Sequence, residues 1–348
     1  MNVLLMGAGW IAEMVYIPFL SDNELINCIY IFDVDSEVVK EKFLDNKKVK
    51  VINQQDIESL SYQFVCILSP NFLHYTHLSE FFDKKATIIV EKPVCINSEE
   101  FEKLNAVVPS SNFPTVYVST PFRYRKDMQS IKTMVHSGSL GDIYRVEISW
   151  LKRRGTPGSR WFTEKEKSGG GVLMDMGPHM LDLFYWLLGE RSAKCYQSAM
   201  SSIFLASGDA YADWHKLNDS VSTTEVEDSC FAQLIYSDVS LALNLVWASN
   251  IENDYAQIRL YGTKAVADIM TSIGFSTNTL YQETTVNWMQ DGELTVQRLP
   301  IEDRKEPFRK MIADVINAQK DNLADINSAL IVMHDIFKLY QHAFFIRG

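Results

Sequence analysis

Short apolar runs that stop at polar or glycine-rich breaks dominate the first third of the chain. They are Val3-Leu4-Leu5-Met6, Ile29-Tyr30-Ile31-Phe32, Phe64-Val65-Cys66-Ile67-Leu68, Thr87-Ile88-Ile89-Val90 and Val116-Tyr117-Val118-Ser119. Stretches with helical character, 13–20, 73–82 and 98–107, separate them. Strands alternating with helices predict a parallel sheet with ligands at the carboxyl ends of its strands. Past Thr120-Pro121 the pattern changes. A helix over 128–136, ended by Gly138, precedes an alternating strand at 143–150 and an apolar helical run, Leu183-Phe184-Tyr185-Trp186-Leu187-Leu188. Strand-like runs at 230–236, 240–247, 257–261 and 266–270 follow, with hairpin breaks such as Ser237-Asp238 and Gly262-Thr263. An antiparallel sheet with one face under helices accounts for this pattern. Its other face needs cover, so a homodimer or homotetramer is expected. Two further helices, 307–318 and 329–345, close the chain, giving domains 1–120 and 121–348.

The strand ends carry the candidate chemistry. Gly7-Ala8-Gly9-Trp10-Ile11-Ala12 follows the first strand and opens a helix, the setting of a dinucleotide fingerprint. Gly7 permits the turn, Gly9 admits a pyrophosphate, and Trp10 and Ile11 complete the set of cofactor contacts there. Asp33 ends the second strand, 24 residues after Gly9, where a carboxylate accepts ribose hydroxyls and repels a 2′-phosphate. NAD is therefore expected over NADP. Ser69, Asn71, Glu91 and Lys92 fall at the same edge, and Lys92, held between a strand end and Pro93, can hydrogen-bond a reacting oxygen. His74 and His77 read as a surface pair or a pair at the cofactor's edge; no third ligand suggests a metal site.

A second centre lies at Ser168-Gly169-Gly170-Gly171, followed by Asp175 and, one helical turn later, His179. With Pro178 at the first helical position, His179 falls in the first turn, where the positive end of the helix favours the neutral imidazole of a general base. Asp182, on the next turn, is open to two roles, substrate contact or helix support.

Composition narrows the class. The 348 residues are 47% hydrophobic and 22% charged, as in an ordinary globular protein with room for two cores. A net charge of −11 argues against a nucleic-acid partner. Five scattered cysteines, Cys28, Cys66, Cys95, Cys195 and Cys230, suggest neither a disulfide framework nor zinc. No basic leader precedes the first strand and no apolar run approaches a membrane span, so a cytoplasmic protein with no membrane partner is expected.

Together these motifs resemble the glucose-fructose oxidoreductase, inositol dehydrogenase and MocA (Gfo/Idh/MocA) family of nicotinamide-dependent dehydrogenases. The matches run in order along nearly the whole chain: G-A-G-W-I-A, S-P-N-F-L-H at 69–74, E-K-P at 91–93, Arg123-Tyr124, S-G-S-L-G-D-I at 137–143, the glycine block to Asp182, V-E-D-S at 226–229 and Y-G-T-K-A at 261–265. The resemblance implies a Rossmann domain followed by an α/β domain with a large, open, mostly antiparallel sheet. It implies hydride transfer to or from a carbon of a sugar or cyclitol, with Lys92, Asp175 and His179 as the catalytic residues. It also places the loop bearing Arg160 and Trp161 near the nicotinamide and substrate, whereas Lys152 and Arg153 read as a solvated basic turn. Arg123 binds a substrate carboxylate or phosphate, or pairs with an acidic neighbour. A polar insert within 206–225 is longer than the family leads one to expect, and Trp214 and His215 in it are candidate substrate contacts. Two other readings stand beside the dehydrogenase: an NAD-sensing regulatory protein without turnover, and an enzyme using NAD transiently in sugar elimination or hydrolysis.

Overall fold

The computed structural model describes residues 1–212 and 225–346. Trp214 and His215 lie outside the described residues. Contacts divide the chain into two units, Met1–Pro121 with Lys305–Leu330, and Phe122–Arg304 with Ile331–Gly348.

The first unit is built on parallel strands β1 (Asn2–Met6), β2 (Cys28–Phe32), β3 (Val49–Ile52), β4 (Phe64–Ile67), β5 (Thr87–Val90) and β6 (Thr115–Val118), in the order β6-β5-β4-β1-β2-β3. A short return strand, Ala324–Asp325, pairs antiparallel with β6. Strands covered on both faces lose their polar alternation, and every residue of β4 is buried. Register fixes the functional edge: Met6 lies beside Phe32 and Ile67, and Ile67 beside Val90. The loops starting at Gly7, Asp33, Leu68 and Glu91 therefore leave the sheet at one level. After β1 the chain enters a wide π turn, Ala12–Tyr16, continued by helix Ile17–Asp22.

The second unit carries a nine-stranded mixed sheet. Its strands are β7 (Ile143–Leu151), β8 (Cys195–Ser201), β9 (Ser229–Ile235), β10 (Ser240–Val246), β11 (Tyr255–Gly262), β12 (Val266–Thr271), β13 (Glu283–Gln290), β14 (Glu293–Pro300) and the edge strand Ala343–Phe345. The order is β14-β13-β12-β11-β7-β10-β9-β8 and then that edge strand. β10 runs parallel to β7 and the edge strand parallel to β8, while the other pairs are antiparallel. Period-two alternation sends Val146, Ile148 and Trp150 of β7, and Leu241, Leu243 and Leu245 of β10, into the core. The long helix Val172–Leu188 packs on β9 and β10. The other face carries a polar ladder in which Arg259 meets Asp268 at 2.7 Å and Tyr261 donates to Glu147 at 3.1 Å.

The helix expected over 329–345 is corrected at its end. It stops at Gln341, and Ala343–Phe345 pairs with Ser198–Met200. The open edge of β8 satisfies that backbone, and the aromatic pair Phe344-Phe345 suits a strand. Among the described residues no helix is long and apolar enough to cross a membrane.

Candidate active site

The glycine turn after β1 is shaped by its neighbours. Gly7 has φ +101°, and a Cβ there would lie 2.8 Å from the Ser69 nitrogen, so a side chain is excluded both by conformation and by space. Gly9 faces open space, with nothing within 4 Å of a would-be Cβ. Ala12 is fully buried where the helix meets the sheet. Asp33 Oδ2 accepts from the Ala8 amide at 2.7 Å and its Oδ1 from the Asp35 amide at 2.9 Å. A carboxylate has about four acceptor positions, so capacity for ribose hydroxyls remains. An open glycine backbone at a helix entry, beside an acidic strand end, fits a nicotinamide dinucleotide. Gly7, Gly9, Trp10, Ile11 and Asp33 are the residues that would hold it.

The loops after β4 and β5 are joined by one imidazole. His74, on α1 (Asn71–Ser79), is 1% exposed, with Nδ1 2.7 Å from the Pro93 oxygen and Nε2 2.6 Å from the Ser69 oxygen. It is thus not a surface residue but a tie between the S-P-N and E-K-P loops. Burial pushes its pKa down to about 4, against the pull of the two carbonyls. His77 lies 3.0 Å from Ser69 Oγ through Nδ1, and its half-buried ring meets Phe32 edge-on. Asn71 is buried at the start of α1. Glu91 accepts from the Tyr16 hydroxyl at 3.4 Å, and burial pushes its carboxyl pKa up. Lys92 follows directly, half-buried.

In the second unit, α2 (Val172–Leu188) begins well before the proline. This corrects the placement of His179: Pro178 is inside the helix, His179 lies in its third turn, and Asp175 takes the first-turn position. Pro178 brings no N–H, so Met174 O lacks its usual helical donor. Field from the helix end therefore acts on Asp175 rather than His179. Of the seventeen residues of α2 only Asp175, His179 and the terminal Leu188 are not buried. One helical turn separates the first two, so they form a single polar opening in an apolar helix. Trp247 Nε1 donates to Asp175 Oδ2 at 2.9 Å. The His179 ring lies 4.6 Å from Phe122 and 6.4 Å from Trp150, centroid to centroid. Tryptophans at the ends of adjacent strands β7 and β10 thus border both side chains.

Other expected contacts have partners within the protein. Arg123 and Asp182 form a buried pair, Nε to Oδ2 at 2.9 Å and Nη2 to Oδ1 at 2.6 Å, so the acidic neighbour open to Arg123 is Asp182. Arg160 is exposed and pairs with Glu164 at 2.7 Å, and Trp161 stacks on Phe162 at 3.8 Å, contacts that engage both within their own turn. Lys152 is not solvated as expected: it is 6% exposed, and its ammonium lies 5.2 Å from the Trp150 ring centre. Among the described residues no cluster of three or more His, Cys, Asp or Glu is placed to hold a metal. The aromatic border of Phe122, Trp150 and Trp247 was not anticipated; a tryptophan at the end of each of two strand-like runs, Trp150 and Trp247, is the signal that could have marked it.

Comparison with known proteins agrees with this architecture. Residues 1–118 match the oxidoreductase family with an NAD-binding Rossmann fold, and residues 128–268 match the GFO/IDH/MocA C-terminal domain. The D-glucoside 3-dehydrogenase of Escherichia coli (strain K12) is 26% identical over 99% of this chain and 95% of its own length. GenD2 from gentamicin A biosynthesis, solved with NAD, superposes with TM-score 0.75 at 17% identity, over 98% of this chain and 93% of that one. KijD10, a 3-ketoreductase from Actinomadura kijaniata solved with TDP-benzene and NADP, gives 0.71 at 14%, over 99% and 98%. With a dinucleotide turn at one sheet edge and both family domains matched in order, the chain belongs to the Gfo/Idh/MocA family of NAD(P)-dependent oxidoreductases.

Proposed function

We propose that this enzyme transfers hydride between NAD and a secondary alcohol or ketone carbon of a sugar, sugar derivative or cyclitol. The observation that carries the reading is the Asp175–His179 opening, the one place where α2 turns polar groups away from its own core before its last residue. His179 takes the hydroxyl proton in the oxidation direction, and Lys92 stabilises the charge that develops on that oxygen. Asp175, held by Trp247, orients His179 or binds a neighbouring hydroxyl. The cofactor, when bound, accepts or returns the hydride. Ser69 and Asn71 line its edge of the first unit, and Asp33 favours the free ribose hydroxyls of NAD over a 2′-phosphate.

The related 3-dehydrogenase and 3-ketoreductase make carbon 3 of a hexose ring the first position to test. The exposed sheet face, with Phe231 and Ile235 of β9 at 49% and 40% exposure, supports a homodimer or homotetramer. Five cysteines that form no disulfide pair in the structure suit a cytoplasmic setting.

The test is an NADH-fluorescence titration followed by a screen of glucosides, sugar phosphates, amino sugars and inositols with NAD. Net NADH accumulation with a member of the panel is the expected result, and it separates this activity from transient use of NAD. Tighter binding of NADPH than of NADH would overturn the role given to Asp33.

A further inference from the structure

The glycine run before α2 has a partner outside its own segment. Gly171, at the helix entry, offers no side chain to cap the first turn. Glu227 fills that place from just before β9. Its Oε1 accepts from the Gly171 amide at 3.1 Å, the Leu173 amide at 3.0 Å and the Tyr340 hydroxyl at 2.8 Å. Its Oε2 shares the Gly171 amide at 3.0 Å, and its backbone oxygen accepts from the Val172 amide at 2.9 Å. The residue is 2% exposed. The glycines are needed because Glu227 and Tyr340 are there: a Cβ on Gly171 would lie 1.9 Å from the Glu227 oxygen, and one on Gly170 would lie 2.0 Å from the Tyr340 hydroxyl.

We infer that Glu227 is a positioning residue for the reaction, acting through α2 on Asp175 and His179. This rests on the acid/base reading given above. Three consecutive amides, 171 to 173, are fixed by one residue, which sets where the helix starts and in which direction it points. Asp175 lies one turn beyond the cap, its amide bonded to Gly171 O at 3.0 Å. A rotation of the first turn would carry both Asp175 and His179 with it, and a displacement of about 1 Å in a catalytic group can cost about a hundredfold in rate. Burial pushes the Glu227 carboxyl pKa up, against the pull of the Tyr340 hydroxyl and the Leu173 and Gly171 amides. Oε1 takes three of the donors, so glutamine can retain most of the cap, whereas alanine leaves the Gly171 and Leu173 amides without it and keeps only the backbone bond to Val172.

The experiment compares Glu227→Ala and Glu227→Gln with the wild-type protein by amide hydrogen exchange, NADH-fluorescence titration and turnover of methyl β-D-glucoside with NAD. For Glu227→Ala we expect faster exchange in 170–176, NADH affinity within twofold of wild type, and kcat lower by tenfold or more with KM changed far less. Glu227→Gln should restore the exchange protection and bring kcat within about fivefold of wild type. Unchanged exchange in Glu227→Ala, or kcat within twofold of wild type, overturns the inference. His179→Ala separates the two levels. Loss of turnover in it with Glu227→Ala fully active removes only the role of Glu227; full turnover in it removes the acid/base reading as well.

Discussion

Arg123 and Asp182 show how far a single side chain can be read before its neighbours are known. Both stood at positions suited to substrate, and the sequence left open whether Arg123 met an acid. Burial settles it, because two charges at 8% and 5% side-chain exposure need each other. Removing one partner strands the other, so Asp182→Ala should cost about 3–5 kcal/mol in urea unfolding. A loss under 1 kcal/mol would show that the pair is not closed in solution. His74 marks the opposite limit. Its place in S-P-N-F-L-H was visible, but its two carbonyl partners come from loops of two different strands, which spacing along a chain does not reveal. The place of Asp33 was legible because it depends only on where the apolar run of the second strand ends.

At the scale of elements, strands were read well where burial is complete and less well where it is not. Thr87–Val90 and Ser98–Val107 have the bounds that their patterns give. The hairpin of β13 and β14 was missed because β14 is exposed along nearly all of its length and so lacks an apolar face to find. Its turn was there to be seen: Asp291-Gly292, with φ +51° and +84°, is a typical two-residue hairpin signal. Pro178 misled in the other direction. A proline usually marks a helix start, yet α2 begins six residues earlier because Glu227 caps it from another segment, and tertiary packing absorbs the missing hydrogen bond. Gly171→Ala puts a Cβ against Glu227 backbone, which cannot swing away as a side chain can. It should destabilise the protein by about 1–3 kcal/mol in urea and lower kcat as well. An unchanged unfolding midpoint would mean that the close approach is relieved at no cost.

For the whole molecule, the parallel-then-antiparallel order of the chain was legible from the change in pattern near residue 120. The return of Lys305–Leu330 to the first unit was not, since a two-residue strand such as Ala324–Asp325 leaves no periodic trace. Acid sensitivity belongs to this scale. The buried His74 ring refuses a proton down to about pH 4, while the unfolded ring takes one near 6.5. Folding is therefore favoured in full above pH 6.5, and this contribution, about 3 kcal/mol, is lost as pH falls from 6.5 to 4. Urea midpoints at pH 7.5 and 4.5 should differ less in His74→Gln than in the wild type; an equal difference would assign the acid loss to other groups. The central claim, hydride transfer from a sugar carbon with His179 as base, is tested most directly by following deuterium. A ring-deuterated substrate from the sugar panel, incubated with NAD, should deliver its label to the reduced cofactor, and His179→Ala should slow that transfer by about 10²- to 10⁴-fold. Deuterium absent from the reduced cofactor, or transfer at near wild-type rate in His179→Ala, would contradict it.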